Sequence, residues 1–375
     1  MRYWIRRHKI QGLLFSATLT AGVLALASIA PSSSAAGSVR SSRGEVCQDR
    51  QASCAGTVAP LVAKSPLPGG GTMYTYDVSG LKVHSPVAPA GFDPVTASAA
   101  KLAEYGFPPR PAAGRALQTW LAMVRKAHPA TPPGHLMAFH PAVRPAVGAA
   151  PAVPVEDNPI WSGNMATSET YTNVYANWLE PSITEAECPA NYQMESTWVG
   201  LGGFNTGTLV QAGTQYGESH FLAGLANHQA WYELISGTTN VFVPIPVTAT
   251  VGGEMDVNIY RASAKGYDIY VENEYTGVYW GVDFVTFSPY DGSTAEFITE
   301  DPGGGAENGI YLIRFGTFEV EDAEASVNDS TFQGLANWPH DNDVMVGPTT
   351  GDTMAYSGSA FNSGDSWYEY HEHCD

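Results

Sequence analysis

Beyond Asn158 the chain alternates apolar and polar positions in short runs. Val174, Ala176 and Trp178 form one such run, Met255, Val257 and Ile259 a second, and Phe318 and Val320 a third. Successive side chains of a strand point to opposite faces, so a period of two predicts half-buried strands. Lys265-Gly266 and Asp291-Gly292 are predicted turns between such runs. Many short strands with frequent Gly and Asn predict a β-sandwich or barrel of about 200 residues.

The preceding stretch, residues 37–155, is rich in Ala, Pro, Ser and Val, a composition that predicts extended or loosely ordered chain. Two helices interrupt it. Asp93-Pro94 and Gly106 bracket a short one through Ala99, Leu102 and Ala103. Leu117, Trp120, Leu121 and Val124 fall at i, i+3, i+4 and i+7, predicting an amphipathic helix over 114–127 whose apolar stripe needs something to pack on. A Pro-rich run over 129–154 reads as a linker.

The first 36 residues read as an export signal: Arg2, Arg6, Arg7 and Lys9, an apolar run over 13–30, then small residues up to a cleavage site after Ala36. A membrane anchor is the alternative, since about 18 apolar residues approach the spanning length. The domain plan is therefore 1–36 signal peptide, 37–155 basic propeptide or linker, and 156–375 acidic β-domain. The expected product is secreted, extracellular, free of the membrane after signal removal, and monomeric. Cysteines number four, Cys47, Cys54, Cys188 and Cys374. In an export context they are expected as disulfides. Cys47 with Cys54 and Cys188 with Cys374 is the arrangement that survives a cut between the halves.

Charge divides the chain at the same place. After residue 155 the only Lys and Arg are Arg261, Lys265 and Arg314, against 32 Asp and Glu. Residues 37–155 carry eleven Lys and Arg against five acids. The net charge of -19 hides two opposed pieces. Nucleic acid and anionic membrane both require a basic footprint and are excluded as partners of the acidic piece. Below about pH 3 its carboxylates neutralise and little positive charge remains to drive acid unfolding. A soluble secreted lectin would share this property.

Several familiar catalytic signatures are absent: His-Glu-x-x-His, Gly-x-Ser-x-Gly, and the Asp-Thr-Gly or Asp-Ser-Gly of pepsin-like enzymes. Gly364-Asp365-Ser366 is followed by Trp367 where a serine-protease motif requires Gly. His371, Glu372, His373 and Cys374 read as a charged tail rather than a metal site, and no metal or other cofactor is expected. Pro302 to Gly305 lacks the Gly-Lys-Ser/Thr of a phosphate loop. Glu254 and Asp256 would share a strand face, but Asn258 and Ile259 follow where a jelly-roll glucanase continues its acids, so a solvated sheet face is expected.

Four motifs remain: Trp198-Val199-Gly200-Leu201-Gly202-Gly203, Leu209-Val210-Gln211-Ala212-Gly213, Ala230-Trp231-Tyr232-Glu233, and Ala295-Glu296-Phe297-Ile298-Thr299-Glu300-Asp301. In this order and spacing the chain resembles the glutamic peptidases, the eqolisins, over roughly residues 158–330. Trp161-Ser162-Gly163 is similar to the family's Asn-Trp-x-Gly opening, with Ile160 in place of Asn. The resemblance implies a concanavalin-like double-sheet antiparallel sandwich, or jelly roll, and acid endopeptidase activity on polypeptides. It implies Gln211 and Glu296 as the catalytic pair, Trp161 and Trp198 as cleft walls, and Glu233 as an orienting acid. It also implies that residues 37–155 are a propeptide inhibiting its own domain. The basic side chains of that segment would lie against the acidic domain and let go as carboxylates protonate.

The chain departs from the family pattern at Gly202, where Asp is usual, and at Gln215 and Gln229, where acids are usual. A thinner acid network predicts a moderately acidic optimum. The competing expectation is a non-catalytic carbohydrate-binding jelly roll, with Tyr279, Trp280, Trp338 and Trp367 as stacking platforms.

Overall fold

The computed structural model describes residues 56–139, 155–184, 193–203, 207–217, 228–236, 239–286, 289–302, 311–328 and 332–374. The export signal and Cys47, Cys54 and Cys188 lie outside the described residues. Cys374 is disulfide-bonded.

In chain order the first segment supplies β1 (Thr57–Pro66), β2 (Thr72–Val78), β3 (Leu81–Val87), α1 (Ala99–Glu104), α2 (Gly114–Val124), β4 (His128–Pro129) and β5 (His135–Ala138). There follow β6 (Val155–Asn158), β7 (Trp161–Ala166), β8 (Asn173–Leu179), β9 (Gln193–Leu201), β10 (Thr208–Gly217), β11 (His228–Ser236), β12 (Thr239–Thr248), β13 (Glu254–Arg261), β14 (Gly266–Asn273), β15 (Val278–Val285) and β16 (Ala295–Glu300). The last strands are β17 (Tyr311–Leu312), β18 (Phe318–Ser326), β19 (Gln333–Gly334), β20 (His340–Val346), β21 (Thr353–Ser357) and β22 (Trp367–His371).

The architecture is a jelly-roll-like antiparallel sandwich. One sheet runs β20-β7-β16-β9-β10-β11-β12. The other runs β22-β18-β8-β13-β14-β15. Val199, Leu201, Val210, Ala212 and Tyr232 of the first sheet share one core with Val174, Ala176, Met255, Val257 and Ile269 of the second. The alternation of β8, β13 and β18 is the period read along the sequence.

The segment before the sandwich holds more regular structure than its composition predicts. β3 adds to β15, β2 pairs with β3, β1 with β2, and β5 with β1. Just past β5, Phe139 exchanges both backbone hydrogen bonds with Phe242 of β12, at 2.8 and 2.9 Å. These strands thus bridge the open edges of the two sheets. Exposed edges are templates for unwanted pairing, and covering them removes that hazard. Ala59, Tyr76, Val78, Leu81, Val83, Ala130, Leu136 and Ala138 join the sandwich core.

Both helices form where periodicity places them. The first starts later than Asp93: Ser98 is its cap, its hydroxyl accepting from the Lys101 N–H, while Asp93 caps a separate turn through Val95 and Thr96. Gly106, at φ 72°, supplies the left-handed stop. Leu102, Tyr105, Phe107, Trp120, Met123 and Val124 pack on Tyr175, Tyr270 and Tyr279, so the partner of the apolar stripe is the outer face of the second sheet. Arg115 of α2 binds Asp365 at 2.9 Å and pairs with Asp322. Among the described residues it is this arginine that ties the basic segment to the acidic domain by direct ion pairs.

This covering corrects one expectation. Asp256 is wholly buried, accepting a 2.6 Å hydrogen bond from the Tyr175 hydroxyl, and Glu254 is half-buried, so that face is not solvated. Helical cover removes water from carboxylates that the sequence pattern alone puts outside.

Stripping the segment exposes those core residues and two sheet edges, a loss on the order of 10 kcal/mol of apolar burial. A chain beginning at residue 155 is expected to melt well below the full chain and to aggregate. Thermal unfolding with light scattering, compared for the two chains, checks this.

Candidate active site

Gly200, in the middle of β9, is the point from which the site is built. Gln211 on β10 and Glu296 on β16 are both its direct register partners, one on each side. Residues opposite one another in a ladder project to the same face. Ala212, Ala295 and Phe297 belong to the sandwich core, which sends Gln211 and Glu296 to the opposite face of the sheet. Adjacent strands lie about 4.8 Å apart, so the two side chains flank a slot about 10 Å wide between backbones. Glycine leaves room there for the neighbouring side chains. A Cβ on Gly200 would sit 2.8 Å from Leu209 Cδ1, 2.9 Å from Trp198 Cζ3 and 3.1 Å from Glu296 Oε2.

Glu233 on β11 is the next residue in the same transverse row, opposite Gln211, and its Oε2 accepts from the Gln211 amide Nε2. On the other side, the Thr294 hydroxyl donates to Glu296 Oε1 at 2.8 Å. Glu296 is wholly buried, and Gln211 is 2 % exposed. The pair is therefore closed to solvent in this form of the chain. An apolar cluster on this face unites Trp198, Leu209, Trp231, Phe242 and Ile298 with Phe139 of the first segment.

Trp161 and Trp198 meet edge to face, ring centroids 5.3 Å apart. The indole N–H of Trp198 donates to Glu300 Oε2 at 2.8 Å, which fixes the ring's orientation. All five residues singled out as catalytic or cleft-lining thus fall on one face of one sheet. Three further residues escaped the sequence reading: Thr294, Glu300 and Gly200. Glu300 and Gly200 lay inside the quoted motifs, and the i, i+2 spacing of Thr294 and Glu296 was a usable signal.

The departures from the family pattern have a local setting. Gly202 sits at φ 72°, and a Cβ there would lie 2.8 Å from Asp291 Oδ1, so an acidic side chain would meet another carboxylate. Gln215 and Gln229 are register partners on this face, and Gln229 Nε2 donates to the Val247 carbonyl at 3.2 Å. An amide can make that donation and a carboxylate cannot.

The proposed sugar platforms fare differently. Tyr279, Trp280 and Trp367 are no more than 2 % exposed, and Trp338 packs edge to face on Tyr171. The first three rings are core and the half-buried Trp338 packs against it, and no observation favours the carbohydrate reading. No group of three or more His, Cys, Asp or Glu among the described residues is placed to hold a metal.

The family model for the Peptidase A4 family matches residues 159–356, just over half of the chain and spanning every strand of the row around Gly200. The chain belongs to the Peptidase A4 family. It is a peptide hydrolase. No curated protein matches it. Among solved structures, scytalido-glutamic peptidase with a transition-state analogue inhibitor is similar at 18% identity, over 57% of this chain and 98% of that one, with a TM-score of 0.46. SCP-B, an eqolisin in complex with the tripeptide Ala-Ile-His, is similar at 18% identity over 57% and 98%, TM-score 0.44. Aspergilloglutamic peptidase from Aspergillus niger is similar at 22% identity over 48% and 99%, TM-score 0.38.

The interior of this A4 peptidase is unusual for its acids. Burial pushes Glu195 up to about 8, helped by the charge of Glu180. Burial also raises Glu369 to about 7, against the hydrogen bonds of Ser162 and Ser357. Glu324 is raised to about 8 by burial and by Asp322 and Asp365, and Asp268 to about 7 by burial and by Asp283. Folded-state values above the ordinary carboxylate range mean that the folded form binds more protons. The stability they contribute is complete below about pH 4 and drains away as pH rises through 7 to 8.

The melting temperature is therefore expected to be highest in acid and to fall across neutrality. Glu195→Gln should flatten the fall, which a pH series of melting curves will show. In the cleft, Gly200→Ala is expected to lower kcat at least tenfold by crowding the slot, since such close contacts force neighbours to shift. Steady-state cleavage kinetics on a variant with a near-parental melting temperature measure it.

Proposed function

We propose that this A4 peptidase is a secreted acid endopeptidase that hydrolyses polypeptides with Glu296 and Gln211. The observation that carries the reading is their placement on either side of Gly200, facing the same slot. Peptide hydrolysis needs a base for water and a donor for the oxyanion that forms on the scissile carbonyl. Glu296 removes a proton from water as the water oxygen attacks the carbonyl carbon. The carbonyl oxygen becomes the oxyanion and accepts from Gln211 Nε2. Glu296 then returns the proton to the amide nitrogen, the C–N bond breaks, and acid and amine leave.

Glu233 occupies one N–H of the Gln211 amide and so sets its rotamer, leaving the second N–H for the oxyanion. A neutral amide beside Glu296 does not raise the base's pKa, whereas a second carboxylate in that place would. Trp161 and Trp198 line the slot with apolar surface for the peptide, Trp198 being held by Glu300.

The basic segment over 37–155 serves, on this proposal, as an intramolecular inhibitor. Phe139 in the cleft-face cluster and the closed state of the dyad support that part. Burying a phenylalanine contributes about 2–3 kcal/mol to holding it there. Burial holds the Asp365 carboxyl above the ordinary carboxylate range, so acid neutralises it and weakens the grip of Arg115.

Casein is expected to be cleaved between roughly pH 2 and 5 without inhibition by pepstatin. Glu296→Gln should lose at least about 10²-fold in kcat and Gln211→Ala about 10²- to 10³-fold. Sugar binding by a chain that never cleaves protein would refute the proposal.

A further inference from the structure

We propose that Thr294 is a positioning residue that keeps Glu296 ionised in acid and turns its second oxygen over the Gly200 slot; this rests on the assignment of Glu296 as the base. The two groups are i and i+2, both buried, and joined at 2.8 Å through Oε1. With Oε1 so held, Oε2 falls 3.1 Å from the place a Gly200 Cβ would take, above the slot and toward Gln211. Thr294 is itself fixed, because its carbonyl accepts the Gly202 N–H at 2.9 Å. Its branched Cβ further narrows the choice of χ1.

The electrostatic need for such a donor is plain from what surrounds Glu296. Burial favours the neutral acid, and so do like charges. Glu300 follows on its own strand, Glu233 lies three strands away on β11, Asp341 stands opposite Met165 on β20, and Asp291 precedes Thr294 in the loop. β7, β9, β10, β11, β16 and β20 contain no Lys or Arg. A protonated carboxyl cannot take a proton from water. A hydroxyl donated to the carboxylate favours the ionised form and opposes the acidic surroundings. A hydroxyl is also able to accept, and in that case it would favour the protonated acid instead.

The test is the acid limb of kcat/KM against pH, which reports the essential base of the free enzyme. It compares the acid-treated full chain with Thr294→Val, Thr294→Ser and Glu296→Gln. Thr294→Val is expected to move the limb up by about one to two pH units, the worth of one hydrogen bond to a charged group. Thr294→Ser should return it to the parental position. Thr294→Ala takes the place of the valine variant if that one melts early, with the same shift expected. A limb that stays put, or moves down, while Glu296→Gln is inactive overturns the inference alone. Parental activity in Glu296→Gln overturns the dyad and the inference with it.

Discussion

The site depends on the register of β9 between its two neighbours. Gln211 and Glu296 are 85 positions apart in sequence, counted along the numbering, and meet because each stands opposite Gly200. A slip of one residue on either side would turn Gln211 or Glu296 into the sandwich core. That slip is opposed by every alternate residue of the three strands: Val199, Leu201, Val210, Ala212, Ala295 and Phe297 would trade the core for the cleft. The core therefore sets the geometry of the cleft, and the tight contacts around the bare Cα of Gly200 do the rest.

A second constraint is protonation. The interior holds Glu195 and Glu369 where burial favours the neutral acid, a contribution that supports the fold in acid and is lost as pH rises. The proposed chemistry asks the opposite of Glu296, which must be ionised under the same conditions. These demands are compatible because the partners differ. Glu195 lies near Glu180, whose charge adds to the effect of burial, whereas Glu296 receives a hydroxyl and faces an amide.

The first segment meets both needs of the sandwich that its own sheets leave open. Its strands bridge the edges between β15 and β12, and its helices cover the acidic outer face over Asp256 and the tyrosines. One chain segment thus supports folding and places Phe139 among the residues of the cleft face. Its Ala- and Pro-rich composition conceals this, because strands that add to an existing edge borrow their hydrogen bonds and half their core from the partner.

Much of this was legible in the sequence. Period-two alternation marked β8, β13 and β18, period 3.6 marked α2, and the motif order brought Gln211, Glu296, Glu233, Trp161 and Trp198 together as candidates, because these signals are local or carried by spacing. The β1–β5 strands, the burial of Asp256, the sequestering of Trp280 and Trp367, and the contacts of Gly200, Thr294 and Glu300 were not. Each of these depends on which strand lies beside which and on what covers a face. Sequence alone determined the helices, the alternating strands of the sandwich and the residues able to do acid–base chemistry; tertiary structure alone decided register, burial and the strands that add to an existing edge, since pairing across strands distant in the chain is set by the packing of the whole core.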